Sequence, residues 1–298
     1  MSIYGMSPDP VENWVQRVAA ASQLFLQHNG PHSWLIKQSI YTHFQRLVPI
    51  LSMSGFQAVT GSILDVGAGT GALTLDLAWR IGNGSLVTAI DNDTEALKIA
   101  QSLAEQVGVR IATLAGDATA LPVKDATQDM TVARFLFQHL PDPSSALFQM
   151  RRVTRPGGRI VIIDVDDEVS LFEPPEPRHR ADFRKAIRTL QLRRGGNRLI
   201  GRQLYRLMRK AGLEAIQVMV IPFVRLGLQH GRRPEEIEAY QIERLLMERE
   251  ELINSGLMTA HDFDAAISEM EQEFAQDGVE DRFEMAADFI ATGLVPTV

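Results

Sequence analysis

At 298 residues the chain has room for one large domain, or for a core with a lid. A hydrophobic share of 45% can fill a buried core, and the lack of cysteine excludes disulfides, a thiol nucleophile and cysteine-ligated zinc. A formal net charge of −7 argues against general nucleic-acid binding. No apolar run approaches the roughly 18 residues of a membrane span, and Met1–Pro10 lack the basic-then-apolar pattern of a secretory signal, so a cytoplasmic location is expected.

In chain order, residues 10–60 read as helical. Trp14, Val15, Val18, Ala19 and Ser22 share one helical face, Asn29-Gly30-Pro31 breaks the pattern, and a second helix is expected from about Ser33 through Met53. Next comes Ile63-Leu64-Asp65-Val66, a buried strand, followed by glycines at 67, 69 and 71 and at once by a helical pattern (Ala72, Leu73, Leu75, Leu77, Ala78). Such a loop lets a ligand lie against bare main chain at a helix N-terminus. It lacks the Gly-Lys-Ser/Thr ending of a nucleotide P-loop, and its third glycine comes one residue early for a dinucleotide loop, which disfavours an NAD-dependent dehydrogenase. Leu86–Asp91 reads as a second strand ending in an acid, about 20 residues on, where a carboxylate can accept from ribose hydroxyls. Asp93 or Thr94 is a plausible helix cap.

Gly116-Asp117-Ala118 precedes Leu121-Pro122. A fourth strand, Met130-Thr131-Val132-Ala133, runs into Arg134 and on to His139-Leu140. Arg155-Pro156-Gly157-Gly158-Arg159 then leads into the strand Ile160–Asp164. Five signals in this order over residues 62–165 resemble the class I S-adenosylmethionine (SAM) dependent methyltransferases, motif I being Asp65-Val66-Gly67-Ala68-Gly69-Thr70-Gly71. The resemblance implies an α/β, Rossmann-like, doubly wound sheet of seven strands in the order 3-2-1-4-5-7-6. It implies SAM as cofactor and S-adenosylhomocysteine as product. Gly67, Ala68, Gly69 and Gly71 would hold the methionine end. Asp65 would support the turn or, through water, the ammonium. Asp91, with Asn92 beside it, would bind the ribose, Asp117 and Ala118 would face adenine, and Ala133 and Arg134 would approach the methionine moiety. His139 is the candidate general base; the competing reading is a histidine packed beneath the site. Trp34 and Tyr41 are candidates for closing the pocket, and His43 and His230 rank below His139 as bases. No metal motif is evident.

The rest of the chain supplies the lid. The expected division is an N-terminal helical lid over 1–60, a SAM-binding core over 61–222 with an irregular insertion at 166–198, a helical cap over 223–285, and a final core strand over 286–298. A helix is expected from Ile200 to a glycine cap at Gly212, a strand over Ala215–Pro222, a helix from Pro234, and a capping box at Thr259–Asp262 opening the stripe Phe263, Ile267, Met270, Phe274. Charge is segregated: twelve basic residues lie between Arg178 and Lys210 against the single acid Asp182, while seventeen acids lie between Pro234 and Asp288 against three arginines. Either the two segments are neighbours, or the basic one meets an anionic partner such as RNA or a carrier protein. Asp164, Asp166, Asp167 and Glu168 after the fifth strand could hold a cationic acceptor or decorate a loop. The sequence thus points to a methyltransferase acting on an O or N, or C, atom of a small molecule. A macromolecular acceptor or a non-catalytic SAM-binding protein are the alternatives, and a homodimer is compatible with all three.

Overall fold

The computed structural model describes Trp14 and residues 16–21, 32–38, 61–81, 86–226, 242–275 and 282–297. Seven strands form one sheet: β1 (Ser62–Val66), β2 (Leu86–Asp91), β3 (Ala112–Ala115), β4 (Gln128–Arg134), β5 (Thr154–Glu173), β6 (Glu214–Leu226) and β7 (Phe283–Leu294). Their order is β3-β2-β1-β4-β5-β7-β6, as expected. β3, β2, β1, β4 and β5 are parallel, and β7 runs antiparallel between β5 and β6. β1 and the middle of β4 are buried because helices cover both faces of a parallel sheet. Ile63, Leu64, Val66, Met130, Val132 and Ala133 are all buried.

Helices α2 (Ala72–Ile81), α3 (Thr94–Val107) and α4 (Pro143–Val153) return the chain between strands. α3 starts where Asp93 accepts from the Glu95 and Ala96 amides and stops at Gly108, whose left-handed backbone ends the turn. Its apolar stripe (Ala96, Leu97, Ala100, Leu103, Ala104, Val107) is wholly buried. At roughly 1.5–3 kcal/mol for each large side chain removed from water, that stripe, not helix propensity, holds α3 in place.

Three expectations need correction. The 166–198 segment is not irregular. β5 runs on to Glu173, and α5 (Arg178–Arg193) follows. Strand pairing survives past the bulge between Val165 and Ser170 because β7 and β6 are also long, Phe283–Ala286 pairing with both neighbours. The three strands therefore project beyond the parallel sheet as an antiparallel blade. The segment at 14–21 does not cover the site either. Trp14, Val18 and Ala21 pack on Leu75, Leu103 and Val107 behind the sheet, and Trp14 donates to Asp76 at 2.9 Å. Finally, the last strand begins at Phe283, not 286.

Other expectations hold. α6 (Leu204–Lys210) ends at Gly212 with positive φ. The strand expected from Ala215 starts at Glu214 and extends to Leu226. Asp262 N–H donates to Thr259 Oγ1 at 3.0 Å at the head of α8 (Ala260–Ala275), with the short α7 (Arg249–Asn254) before it. Of the second N-terminal helix only α1 (Ser33–Gln38) is described. Its continuation with Tyr41 and His43, and the start at Pro234 with His230 before it, lie outside the described residues. No described helix is long and apolar enough to cross a membrane.

Candidate active site

A cavity of about 980 Å³ opens at the carboxyl edge of the parallel strands, where open α/β sheets hold ligands. Its floor is the glycine loop between β1 and α2, its walls are the ends of β2 and β4 and the β5–β7–β6 blade, and its roof is α1, α5 and the segment 244–248. Of the residues singled out from sequence, Asp65, Gly67, Ala68, Gly69, Asp91, Arg134 and His139 all line it.

The loop and β2 are tied together. Gly69 N–H donates to Asp91 Oδ2 at 2.7 Å, and Asp91 Oδ1 accepts from Asp93 N–H at 3.0 Å. A carboxylate has about four lone-pair directions, so both oxygens keep capacity for a ligand hydroxyl. Gly69 has φ +54°, and a Cβ there would meet only Leu35, 4.0 Å away. Its main chain is open toward the cavity. Gly71 is different: a Cβ would stand 2.6 Å from Ala100 Cβ. Gly71 lets α2 and α3 approach, and it does not line the cavity.

Asp65 is buried under the loop and accepts from Thr74 Oγ1 at 2.6 Å. Burial pushes its carboxyl up to about 6, against the opposing Thr74 hydrogen bond and the charge of Arg134. Arg134, at the end of β4, is flanked by Asp288, Asp65 and Asp164; burial works against its charge and these carboxylates offset it. Its guanidinium lies 4.2 Å from the Phe135 ring centroid, and its Nε is buried without a hydrogen-bond partner. Bare main chain at Gly69, a carboxylate at the end of β2 and an unsatisfied buried donor at the end of β4 fit SAM, which offers ribose hydroxyls and an amino-acid carboxylate.

Other candidates fall elsewhere. Asn92 is exposed and outside the cavity wall. Asp117, two residues past β3 at the same edge, is exposed and caps its own turn through Thr119 at 2.6 and 2.7 Å. Ala118 packs against the core, and Ala133 is buried between β1 and β5. His139 sits in a short 3-10 turn (Phe137–His139), its Nδ1 3.2 Å from the Gln191 amide nitrogen of α5. Burial, followed by the charges of Arg198, Arg244 and Arg194, pulls its pKa down to about 4.

The acids in the middle of β5 are engaged by the basic segment. Asp166 holds Arg202 at 2.6 and 2.7 Å, Asp167 holds Arg198, and Glu168 holds Arg188 at 3.1 Å. Asp164 is fully buried, accepts from the Gln138 and Val165 amides, and is pushed up to about 7 by burial. Arg194 pairs with Glu248 and Glu251, and Arg249 with Asp264. α1 joins the same assembly through Lys37–Glu243, and its preceding His32 pairs with Asp93. Beneath these pairs Phe183, Ala186 and Leu190 of α5 share a hydrophobic cluster with Leu252, Phe263, Ile267 and Met270. The segregated charges thus belong to a roof with its own small core. Gln191, Asp288 and the blade residues Phe172, Phe223 and Val224 also line the cavity; no local motif marks them, because strand and helix pairing over long sequence separations brings them there.

Residues 64–162 match the family model described as Methyltransferase domain. The chain is 32% identical over 163 residues to a 37.1 kDa protein in transposon TN4556 of Streptomyces fradiae, covering 55% of this chain but only 46% of that protein. It is 27% identical over 184 residues to demethylmenaquinone methyltransferase of Bacillus cereus strain AH187, covering 58% of this chain and 78% of that one. Its fold is similar to that of phosphoethanolamine N-methyltransferase 2 of Haemonchus contortus in complex with SAM, with TM-score 0.53 and 18% identity over 92% of this chain and 60% of that one. Residues 64–162 thus match a methyltransferase domain, and the seven-stranded sheet has the fold of the solved methyltransferase structure.

Proposed function

We propose that the chain transfers the SAM methyl group to an oxygen or nitrogen atom, or a carbon, of a small molecule held between the glycine loop and the helical roof. The observation that carries this reading is one continuous cavity: Gly69 and Asp91 line the same space as Phe172, Phe183, Ile187, Leu190 and Phe223 of the blade and roof. When bound, SAM supplies an electrophilic methyl group on a sulfonium. The chain's own work is to position and to exclude water. Asp91 would hold the ribose and keep the loop in register through Gly69. The loop amides and Arg134 would hold the amino-acid end, and Asp65 stiffens the turn. The roof closes the acceptor in line with the methyl carbon; well-oriented reactants reach effective molarities of about 10⁵–10⁸ M, so positioning can supply most of the rate.

A basic segment that recognised RNA or a carrier protein would need guanidiniums turned outward. Arg184, Arg188, Arg194, Arg198 and Arg202 instead meet carboxylates of the same chain, which favours the small-molecule reading. Calorimetric titration with SAM, S-adenosylhomocysteine and NAD is the test, followed by transfer of a labelled methyl group across small-molecule acceptors. Binding of both SAM compounds, no response to NAD and labelled product are expected. Binding of NAD alone, or labelling of RNA but of no small molecule, would overturn the reading.

A further inference from the structure

Among the described residues His139 is the one imidazole in the cavity wall, and a proton-abstracting role is the first that suggests itself. The hydrogen bonds around it argue otherwise. The side-chain amide nitrogen of Gln191 lies 2.8 Å from the Gln138 carbonyl oxygen and 3.2 Å from His139 Nδ1. An amide nitrogen carries two hydrogens and no usable lone pair. Turning the amide over would set its oxygen 2.8 Å from the Gln138 carbonyl oxygen, with no hydrogen between them. The amide orientation is therefore fixed, both hydrogens are used, and Nδ1 must be the acceptor. A neutral imidazole whose Nδ1 accepts carries its proton on Nε2. Nε2 lies across the ring and bonds to no described residue.

The charged groups facing the ring come from every neighbouring element: Arg194 at the end of α5, Arg198 in the loop after it, and Arg244 and Glu248 from the roof segment. Arg194 is paired with Glu248 and Glu251 and Arg198 with Asp167, yet the three guanidiniums outweigh Glu248 at the ring. They disfavour the imidazolium and favour an anion next to the ring.

Building on the methyltransferase reading, we infer that Gln191 locks His139 as the Nε2–H tautomer, so that His139 donates a hydrogen bond to an anionic oxygen of the acceptor (a phenolate, enolate or carboxylate) and takes no proton from it. Gln191 is then a positioning residue, and the acceptor enters already ionised. The lowered basicity of the ring agrees with this, since an imidazole pulled down to about 4 is a weak base at neutral pH.

The test is nitrogen NMR on the full chain with ¹⁵N-labelled histidine, read with and without S-adenosylhomocysteine, with His139 assigned from the spectrum of His139→Gln. The expected result is protonated Nε2, bare Nδ1, and no titration between pH 6 and 8. Gln191→Glu, whose carboxylate would accept from Nδ1–H, should move the proton to Nδ1 and bring the titration into that window. Benzoate and 4-nitrophenolate should shift the Nε2–H signal, whereas benzyl alcohol and benzylamine should not. An Nδ1–H tautomer, a native titration near 6.5, no change in Gln191→Glu, or no response to either oxyanion would overturn the inference. Its failure is separable from that of the methyltransferase reading. If calorimetry shows no SAM binding, the reading falls whatever the tautomer; if SAM binds and His139 titrates near neutrality, only the inference falls.

Discussion

The glycine-loop half of the cavity and the roof half are built by opposite means. In the loop half the contacts of Asp65 and Asp91 come from residues no more than 22 positions away, although Arg134 also meets Asp288 from the far end of the chain. Asp65 meets Thr74, nine residues on, and Asp91 meets Gly69 and Asp93. In the roof half, several contacts span fifty residues or more. Arg194 reaches Glu248 and Glu251, Gln191 reaches His139, and Phe183 packs edge-on against Phe263, ring centroids 5.1 Å apart. Local placement makes the cofactor side legible and rigid. Long-range placement leaves the acceptor side free to vary, as expected where function is grafted onto a shared fold.

The largest effect that would break this comparison is at Gly71. Gly71→Ala puts a Cβ 2.6 Å from Ala100 Cβ at φ +83°, so the cost is in stability: about 2–4 kcal/mol, measured by denaturant unfolding. Gly69→Ala meets no such clash and should leave the core better folded while weakening SAM binding. If both variants lose stability equally, the division between a packing glycine and a ligand-facing one is wrong.

Next in size is Asp91→Ala. It removes the partner of the Gly69 amide and the expected ribose acceptor, and should weaken SAM binding by about 1–3 kcal/mol in calorimetry. Unchanged affinity would mean that Asp91 serves the loop alone.

The smallest effect belongs to the roof. Arg194 is 44% exposed in its ion pairs, so Arg194→Gln should cost no more than about 1 kcal/mol. It should speed proteolytic cleavage within α5 and the 242–275 segment and leave SAM affinity unchanged. A tenfold loss of SAM affinity would show that roof and loop are one unit.

How much was legible follows from the same contrast. The strands, the glycine loop and Asp91 were readable because burial in a parallel sheet favours apolar runs and a ligand-facing turn needs glycine, while the strand order came from the family resemblance. The strand continuation over 166–173 was not readable, since Asp166, Asp167 and Glu168 break the apolar pattern of a buried strand. They are tolerated there because Arg202, Arg198 and Arg188 neutralise them. Asp117 matched a motif in sequence, yet here it caps its own turn outside the cavity wall.

The sequence by itself determined the parallel strands and the glycine loop, because local backbone chemistry dictates them, and the family resemblance added the strand order and the expectation of SAM. Only the tertiary structure decided that the basic segment pairs mainly with acids of β5 and, through Arg194, with Glu248 and Glu251, that the blade extends β5 to β7 over the site, and which way the Gln191 amide faces His139. Those depend on side chains meeting across the fold, and no spacing along the chain encodes them.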